Sequence, residues 1–239
     1  MSPFTGEFIG TALAVLVGNG VVANVVLQQT KGHNSGWIVI TFGWSMAVFL
    51  GVYASVTLGG NGHLNPAVSI ALATFGDFDK TLLLTYISAQ LLGAITGSAI
   101  VWICYKQHFD VTPDPVLKFA CFSTSPAIRH PLYNTVTEII GTFVLVLGAM
   151  AISKPTASMG TLDALPVALL ILGIGLGLGG PTGYAINPAR DLGPRITHFI
   201  LPIKGKGTSD WSYAWVPVIG PIIGGVAGAW VYDLLHRGL

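Results

Sequence analysis

Long uncharged stretches separated by short polar segments dominate the pattern of this chain. Five of them exceed 20 residues and a shorter one covers residues 139–153; the five are 8–30, 32–76, 81–105, 164–189 and 211–232. A membrane-spanning helix needs about 20 predominantly apolar residues. The pattern therefore predicts six spans, near residues 4–27, 37–57, 81–105, 134–153, 164–180 and 213–235. The run 32–76 is long enough for one span plus a re-entrant piece.

One tripeptide, Asn-Pro-Ala, occurs twice inside these apolar runs, as Asn65-Pro66-Ala67 and as Asn187-Pro188-Ala189. Asparagine is a strong helix N-cap and proline suits the first helical turn. Each triplet therefore predicts a short re-entrant helix that begins at membrane depth, near Pro66 and near Pro188. Two such starts direct two positive dipole ends at one place, as expected in a pore or transport site.

The two triplets occupy corresponding places in two halves of the chain. Residues 7–11 (Glu-Phe-Ile-Gly-Thr) match residues 138–142 (Glu-Ile-Ile-Gly-Thr), and Gly93 and Gly97 resemble Gly220 and Gly224. Three spans per half place the halves in opposite orientations, which predicts an all-α inverted repeat. We expect one transmembrane channel domain over 1–239, with repeat one at about 1–107 and repeat two at about 133–239. A polar, proline-containing surface loop, about 108–132 within the wider break at 106–132, would join them.

Composition narrows the class of protein further. The chain is 52% hydrophobic and 9% charged, against roughly 25% charged in soluble domains, so an integral membrane protein is indicated. The first apolar run is too long for a signal peptide and lacks a basic flank. Cys104 and Cys121 imply no disulfide framework, and a net charge of +1 gives no reason to expect nucleic acid as a partner.

The motifs around both triplets resemble the signature loops of the aquaporin, or major intrinsic protein, family. The similarity is closest to the glycerol-facilitator branch and covers nearly the whole chain. The two segments that carry it are residues 63–68 (His-Leu-Asn-Pro-Ala-Val) and 183–191 (Gly-Tyr-Ala-Ile-Asn-Pro-Ala-Arg-Asp). The resemblance implies a homotetramer in the plasma membrane with one pore per subunit.

Backbone that precedes a half-helix is tolerated at membrane depth only where it lines a cavity. We therefore expect two ladders of carbonyl acceptors opposite an apolar wall of Val, Leu, Ile and Phe side chains. The ladders comprise Asn61, Gly62, His63 and Leu64, and Gly183, Tyr184, Ala185 and Ile186. The Asn65 and Asn187 amides would donate to a passing oxygen, although an N-cap role alone would also explain each asparagine.

A selectivity filter is expected at four positions. Arg190 lies three residues after Asn187, and an intramembrane arginine usually faces a polar cavity. An ion pair with Asp191 is the alternative, but adjacent residues on a helix do not face each other. By resemblance, Trp44, Tyr184 and Gly175 occupy the other constriction positions. Trp44 could otherwise be an ordinary interfacial tryptophan.

Tyr184 departs from the phenylalanine that is common in glycerol facilitators. Its hydroxyl could favour another small polyol or undissociated lactic acid, and substituting phenylalanine would then change the relative uptake of glycerol and lactic acid. By resemblance, Asp191 and Pro217 are typical of the solute-conducting branch.

Three further residues near the signature loops admit two readings each. Glu7 and Glu138 sit near helix starts, where the dipole favours a carboxylate; the resemblance implies that they orient the loop carbonyls. His63 is expected to act mainly through its carbonyl, with a pH gate as the less favoured alternative.

Charge asymmetry opposes the orientation that the resemblance implies, with both termini cytoplasmic. That orientation places three basic residues inside and six outside. The inner set is Lys80, Lys154 and Arg237, and the outer set is Lys31, Lys106, Lys118, Arg129, Lys204 and Lys206. The positive-inside rule would favour the reverse. We retain the family's orientation because the charges are few and some outer loops are long.

The sequence thus predicts a passive channel for small uncharged solutes such as glycerol, and water, that excludes ions and protons. A facilitator mainly for lactic acid is one alternative, and a secondary transporter with an inverted-repeat fold is another. A transporter would need buried carboxylates or histidines for a coupling ion. Scattered histidines without metal-ligand spacing predict no enzyme, no metal and no cofactor. The expected partners are the solute, the lipid bilayer and further copies of the chain.

Overall fold

The structure is a computed structural model that describes residues 1–152 and 157–237. Across these residues the chain forms α-helices joined by turns and two short 3-10 segments, with no β-strand. The helices are α1 (Pro3–Val26), α2 (Trp37–Thr57), α3 (Pro66–Phe75), α4 (Leu83–Cys104), α5 (Lys106–Val111), α6 (Pro115–Ala120), α7 (Pro131–Ala151), α8 (Leu165–Leu178), α9 (Pro188–Ile200) and α10 (Val216–Arg237).

Six of these helices are long and apolar enough to cross a membrane: α1, α2, α4, α7, α8 and α10, with 3-10 turns extending α4 and α8. The all-α architecture with six spans is therefore confirmed. Proline starts α1 and α7, where its missing N–H costs nothing.

The two predicted half-helices begin at the predicted residues. Asn65 caps α3 and Asn187 caps α9; both have extended backbone, and both side chains accept from the N–H two residues later. The half-helices cross between the halves: α3 packs mainly on α10, and α9 packs on α4. The first half therefore completes its helix packing only in the presence of the second.

Glycines permit the closest helix crossings. A Cβ at Gly97 would lie 2.4 Å from the Ala12 carbonyl oxygen, and one at Gly224 would lie 2.1 Å from that of Ile139. The equivalent helix pairs α1–α4 and α7–α10 make the most extensive contacts in the bundle. In lipid, van der Waals packing between closely approaching backbones stabilises helix association.

The expectation of a surface loop at 106–132 is wrong in part. The segment contains α5 and α6, and its Phe109, Cys121 and Phe122 are fully buried against Leu27 and other residues at the end of α1. The prediction weighed the charges and prolines and overlooked the apolar side chains between them. Burying these aromatic rings stabilises the segment against the bundle.

Most of the basic residues assigned to the outer side have structural partners. Lys206 donates to the carbonyls that end α9, and Lys118 donates to the Lys204 carbonyl. Arg129 pairs with Asp210, and Lys106 pairs with Asp110. Lys154, counted on the inner side, lies outside the described residues. These local roles weaken a topology argument based on simple counting of charges.

Candidate functional site

A cavity of about 250 Å³ runs through the bundle between the two half-helices. Its apolar wall consists of aliphatic side chains, with no phenylalanine among the described lining residues, so that part of the expected wall is wrong. The main aliphatic lining residues are Ala14, Val15, Val48, Val52, Val68, Leu72, Leu145, Ala149, Val167 and Ile171. The polar side includes Asn61, Gly62, His63, Leu64, Asn65, Tyr184, Ala185, Ile186, Asn187 and Arg190.

The loop before α3 holds a strained backbone. Leu64 has φ +52° and Gly62 has φ +72°, in the left-handed region that non-glycine residues seldom adopt. The buried Glu7 carboxylate accepts from the His63 N–H at 3.0 Å and from the Leu64 N–H at 2.8 Å. Such strain persists only where the surroundings enforce it, and here Glu7 provides the enforcing contacts.

The loop before α9 repeats this arrangement. Glu138 is buried and accepts from the Ala185 N–H at 3.0 Å, the Ile186 N–H at 2.8 Å and the Thr182 hydroxyl at 2.6 Å. Tyr184 has φ +40° and the β-branched Ile186 has φ +44°. The Ala185 and Ile186 N–H groups point to the Glu138 carboxylate, an arrangement consistent with the orienting role expected for this acid.

The two asparagines cross-link the half-helix starts. Asn65 Nδ2 donates to the Ile186 carbonyl and Asn187 Nδ2 donates to the Leu64 carbonyl, both at 2.8 Å. One donor of each amide is therefore occupied, and a second N–H remains for a solute. The Leu64 and Ile186 carbonyls each keep one lone pair for a solute. These two positions therefore offer fewer free acceptor sites than predicted.

Arg190 and Trp44 lie in contact at the cavity wall. The guanidinium carbon lies 4.2 Å from the indole ring centre, and Nη1 donates to the Phe122 carbonyl at 3.2 Å. Arg190 is 8% exposed and keeps donors free for the cavity. Asp191 does not neutralise it, because that carboxylate pairs with Arg195 at 2.7 Å and accepts from Thr124.

Tyr184 lines the cavity with Trp44 and Arg190, whereas Gly175 is not among the described lining residues and contacts the Tyr184 ring from outside. A Cβ at Gly175 would lie 2.9 Å from the Tyr184 ring and 3.0 Å from the Thr41 methyl group. The Tyr184 ring therefore occupies the space that a side chain at position 175 would fill. Its hydroxyl oxygen is buried and has no hydrogen-bond partner among the described residues.

Some site residues escaped the sequence analysis. Asn19 Nδ2 and Arg190 share the Phe122 carbonyl, and Trp44 lies against the bare backbone of Gly18. An asparagine in an otherwise apolar span was a usable signal for Asn19. Nothing in the local sequence distinguished the Phe122 carbonyl.

His63 is held at the opposite end of the cavity from Arg190. Its Nδ1 lies 3.0 Å from the Ser69 hydroxyl, and its ring packs against Phe78 and Tyr86. Gln90 joins the Ser69 hydroxyl to Glu7. This network positions the loop whether or not the imidazole carries a further role.

The described residues contain no cluster of three or more His, Cys, Asp or Glu side chains suited to a metal ion. The site instead combines an apolar wall, backbone acceptors, two asparagine donors and one arginine. This arrangement accommodates a neutral molecule with polar and apolar edges, and it repels cations through a fixed positive charge.

The six spans and the paired half-helices around this cavity define a membrane channel architecture. The sequence profile described as Major intrinsic protein matches residues 2–232. The chain belongs to this family, and it is a multi-pass membrane protein.

Relatives and a solved structure agree with this assignment. The chain is 54% identical to a probable glycerol uptake facilitator protein of Thermotoga maritima, covering 98% of this chain and 100% of that protein. It is 51% identical to the glycerol uptake facilitator protein of Bacillus subtilis, covering 100% and 86%. The X-ray structure of the aquaglyceroporin from Plasmodium falciparum superposes with a TM-score of 0.85 at 34% identity, covering 99% and 96%.

A lactic acid transporter is also among the relatives, at a lower similarity. The chain is 41% identical to the D/L-lactic acid transporter of Lactiplantibacillus plantarum, covering 94% and 93%. The glycerol facilitators are therefore the better guide to this chain.

Proposed function

We propose that this protein is a passive channel that carries glycerol, other small uncharged solutes and water down their gradients. The observation that carries the proposal is the constriction, where Arg190 donors face the cavity beside the Trp44 ring and the Tyr184 ring covers Gly175. The facilitators most similar to this chain are named for glycerol uptake.

The proposed passage uses both edges of glycerol. At the filter, Arg190 donates to two hydroxyl oxygens while the carbon edge lies against Trp44 and Tyr184. Beyond it, hydroxyl groups exchange between loop carbonyls and the free N–H of each asparagine as CH groups slide along the aliphatic wall. An ion would lose its hydration without an equivalent replacement, and a cation would also meet Arg190.

A facilitator mainly for lactic acid is the weaker proposal. It relied on the Tyr184 hydroxyl as an additional filter group, and that oxygen is buried without a hydrogen-bond partner among the described residues.

The hydrogen bonding of the two intramembrane acids, Glu7 and Glu138, disfavours transport coupled to an ion. The oxygens of Glu7 and Glu138 accept hydrogen bonds from their loops and neighbouring side chains, which leaves little capacity for a coupling ion. Accumulation of glycerol against its gradient would contradict a passive channel. The related facilitators are not enzymes, and we propose no catalytic activity.

Assembly, orientation and internal repetition are part of the same proposal. We propose a homotetramer with both termini cytoplasmic and with the repeats divided near the segment 108–132. Cross-linking in native membranes would test the tetramer, and protease access to an exposed site such as Ile128 from outside the cell would test the orientation.

The decisive experiment compares two glycines of α8. A leucine at Gly175 would clash with the Tyr184 ring and disturb the proposed filter, so Gly175→Leu is expected to lower glycerol flux at least about tenfold. Gly177 has no atom within 4 Å of an added Cβ, so Gly177→Leu is the control and should retain flux. Stopped-flow light scattering in proteoliposomes measures both. Equal glycerol flux in Gly175→Leu and the parent, at matched assembly, would refute the filter.

A further inference from the structure

Trp37, the first residue of α2, is not among the described residues that line the cavity, but it contacts two residues of the proposed filter, Gly175 and Tyr184. Its indole Nε1 donates to the Gly175 carbonyl at 3.1 Å. Gly175 begins the last turn of α8, where carbonyls lack an intrahelical partner. The bond therefore satisfies a helix-end acceptor and ties α8 to α2, the helix that carries Trp44.

The same indole packs against the second aromatic ring of the constriction. Trp37 and Tyr184 meet edge to face, with ring centres 5.8 Å apart and planes at 79°. Gly179 makes room for this contact, because a Cβ there would lie 2.5 Å from the Tyr184 ring and 2.8 Å from the Trp37 ring. Tyr184 thus packs beside both Gly175 and Trp37.

Packing, rather than a hydrogen bond, holds the Tyr184 ring in place. Its hydroxyl has no partner among the described residues, and its backbone adopts a left-handed conformation with φ +40°. With no anchor at its tip, the ring direction depends on the surfaces beside it. Edge-to-face aromatic contacts are favourable beyond the burial of the rings, so the contact with Trp37 favours one position of the Tyr184 ring.

An interfacial anchor is the plainer reading of Trp37, since tryptophans are common at membrane surfaces. Trp37 is 41% exposed, which suits that reading. An anchor, however, usually turns its N–H toward water and headgroups, whereas this N–H is committed to a protein carbonyl beside the filter. An anchor also predicts effects on insertion or stability without any change in solute preference.

We infer that Trp37 is a positioning residue that sets the width of the constriction. Its indole N–H fixes the last turn of α8 through the Gly175 carbonyl. Its edge-to-face contact holds the Tyr184 ring near Arg190 and Trp44. This inference deepens the filter proposed above and rests on it. Removing the indole opens volume behind Tyr184, so the ring can tilt away from Arg190 and Trp44 and admit bulkier solutes.

The test is the flux ratio of xylitol, a five-carbon polyol, to glycerol in proteoliposomes. Trp37→Ala is expected to raise this ratio at least about threefold, since pocket contacts of this size discriminate by tenfold or more. Trp37→Phe keeps a ring and loses the N–H, so it should raise the ratio less but measurably. Trp215→Ala removes a tryptophan of similar exposure, 46%, and should leave the ratio unchanged.

A fourth variant, Tyr184→Ala, separates failure of the inference from failure of the filter. If Tyr184→Ala raises the ratio while both Trp37 variants match the parent, the role of Trp37 is overturned and the filter stands. If Tyr184→Ala also matches the parent, the filter proposal fails and the inference fails with it. Because each ratio compares two solutes in one preparation, reduced yield of Trp37→Ala does not affect it, and Trp37→Phe alone suffices if Trp37→Ala does not fold.

Discussion

At the residue scale, the Tyr184 hydroxyl oxygen is the atom by which the proposed filter differs from one that carries phenylalanine. Sequence comparison made the Tyr184 hydroxyl an attractive selectivity group, because a phenol adds a donor and an acceptor. In the structure this oxygen is buried without a hydrogen-bond partner among the described residues, and the ring packs against Gly175. Residue identity at a filter position therefore does not establish which atom the solute meets.

Replacing this hydroxyl tests that distinction. A buried hydroxyl without a partner costs about 1–3 kcal/mol, so Tyr184→Phe should keep or raise thermal stability. The lactic acid to glycerol flux ratio should stay within about twofold of the parent, because the ring is unchanged. Tyr213→Phe is the control, since that hydroxyl is also buried without a described partner but lies away from the cavity. A severalfold fall in the ratio for Tyr184→Phe alone would restore the hydroxyl as a selectivity group.

At the element scale, small residues set how closely the helices approach. Gly97 and Gly224 occupy matching crossings in the two halves, and each places a backbone carbonyl where a side chain would begin. The bundle therefore gains its tightest contacts where the helices carry the least side-chain volume.

A pair of alanine substitutions measures this packing. Gly→Ala favours an isolated helix by roughly 0.5–1 kcal/mol, so Gly20→Ala, in open space on α1, should be neutral or stabilising. Gly224→Ala would place its Cβ 2.1 Å from the Ile139 oxygen and should destabilise by about 1–3 kcal/mol through overpacking. Thermal unfolding in detergent would show the opposite signs. Equal melting temperatures would mean that the crossing is looser than described.

At the scale of the whole molecule, the two halves interlock rather than sit side by side. Each half-helix packs on a span of the opposite half, and each asparagine bonds to the loop of the other. The segment 106–132 then covers one end of α1 and supplies the Phe122 carbonyl to Arg190. The linker is thus a structural part of the site.

Cys121 reports on whether this segment is packed. Its side chain is 0% exposed, and burial raises the pKa of its thiol. Because the thiolate is the reactive form, the raised pKa lowers its alkylation rate at neutral pH. In a Cys104→Ser background, maleimide should label Cys121 only after unfolding, as read by mass spectrometry. Labelling of the native protein at the unfolded rate would show that the segment opens freely, as the surface-loop expectation implied.

Local physics explains why so much could be predicted in advance. Spans follow from apolar length, and the starts of α3 and α9 follow from an asparagine cap followed by proline. The matching motifs around Glu7 and Glu138 exposed the repeat, and the same residues carried the family resemblance. The surface-loop prediction failed because aromatic burial at Phe109 and Phe122 depends on a distant surface, the end of α1.

The sequence by itself determined the membrane class, the six spans and the half-helix starts, because composition and short-range caps govern these features. Only the tertiary structure decided how their atoms are used. The Leu64 and Ile186 carbonyls meet asparagines more than 100 residues away. Trp37 meets a carbonyl 138 residues along the chain. Such partners are set by where the helices cross, which no local pattern specifies.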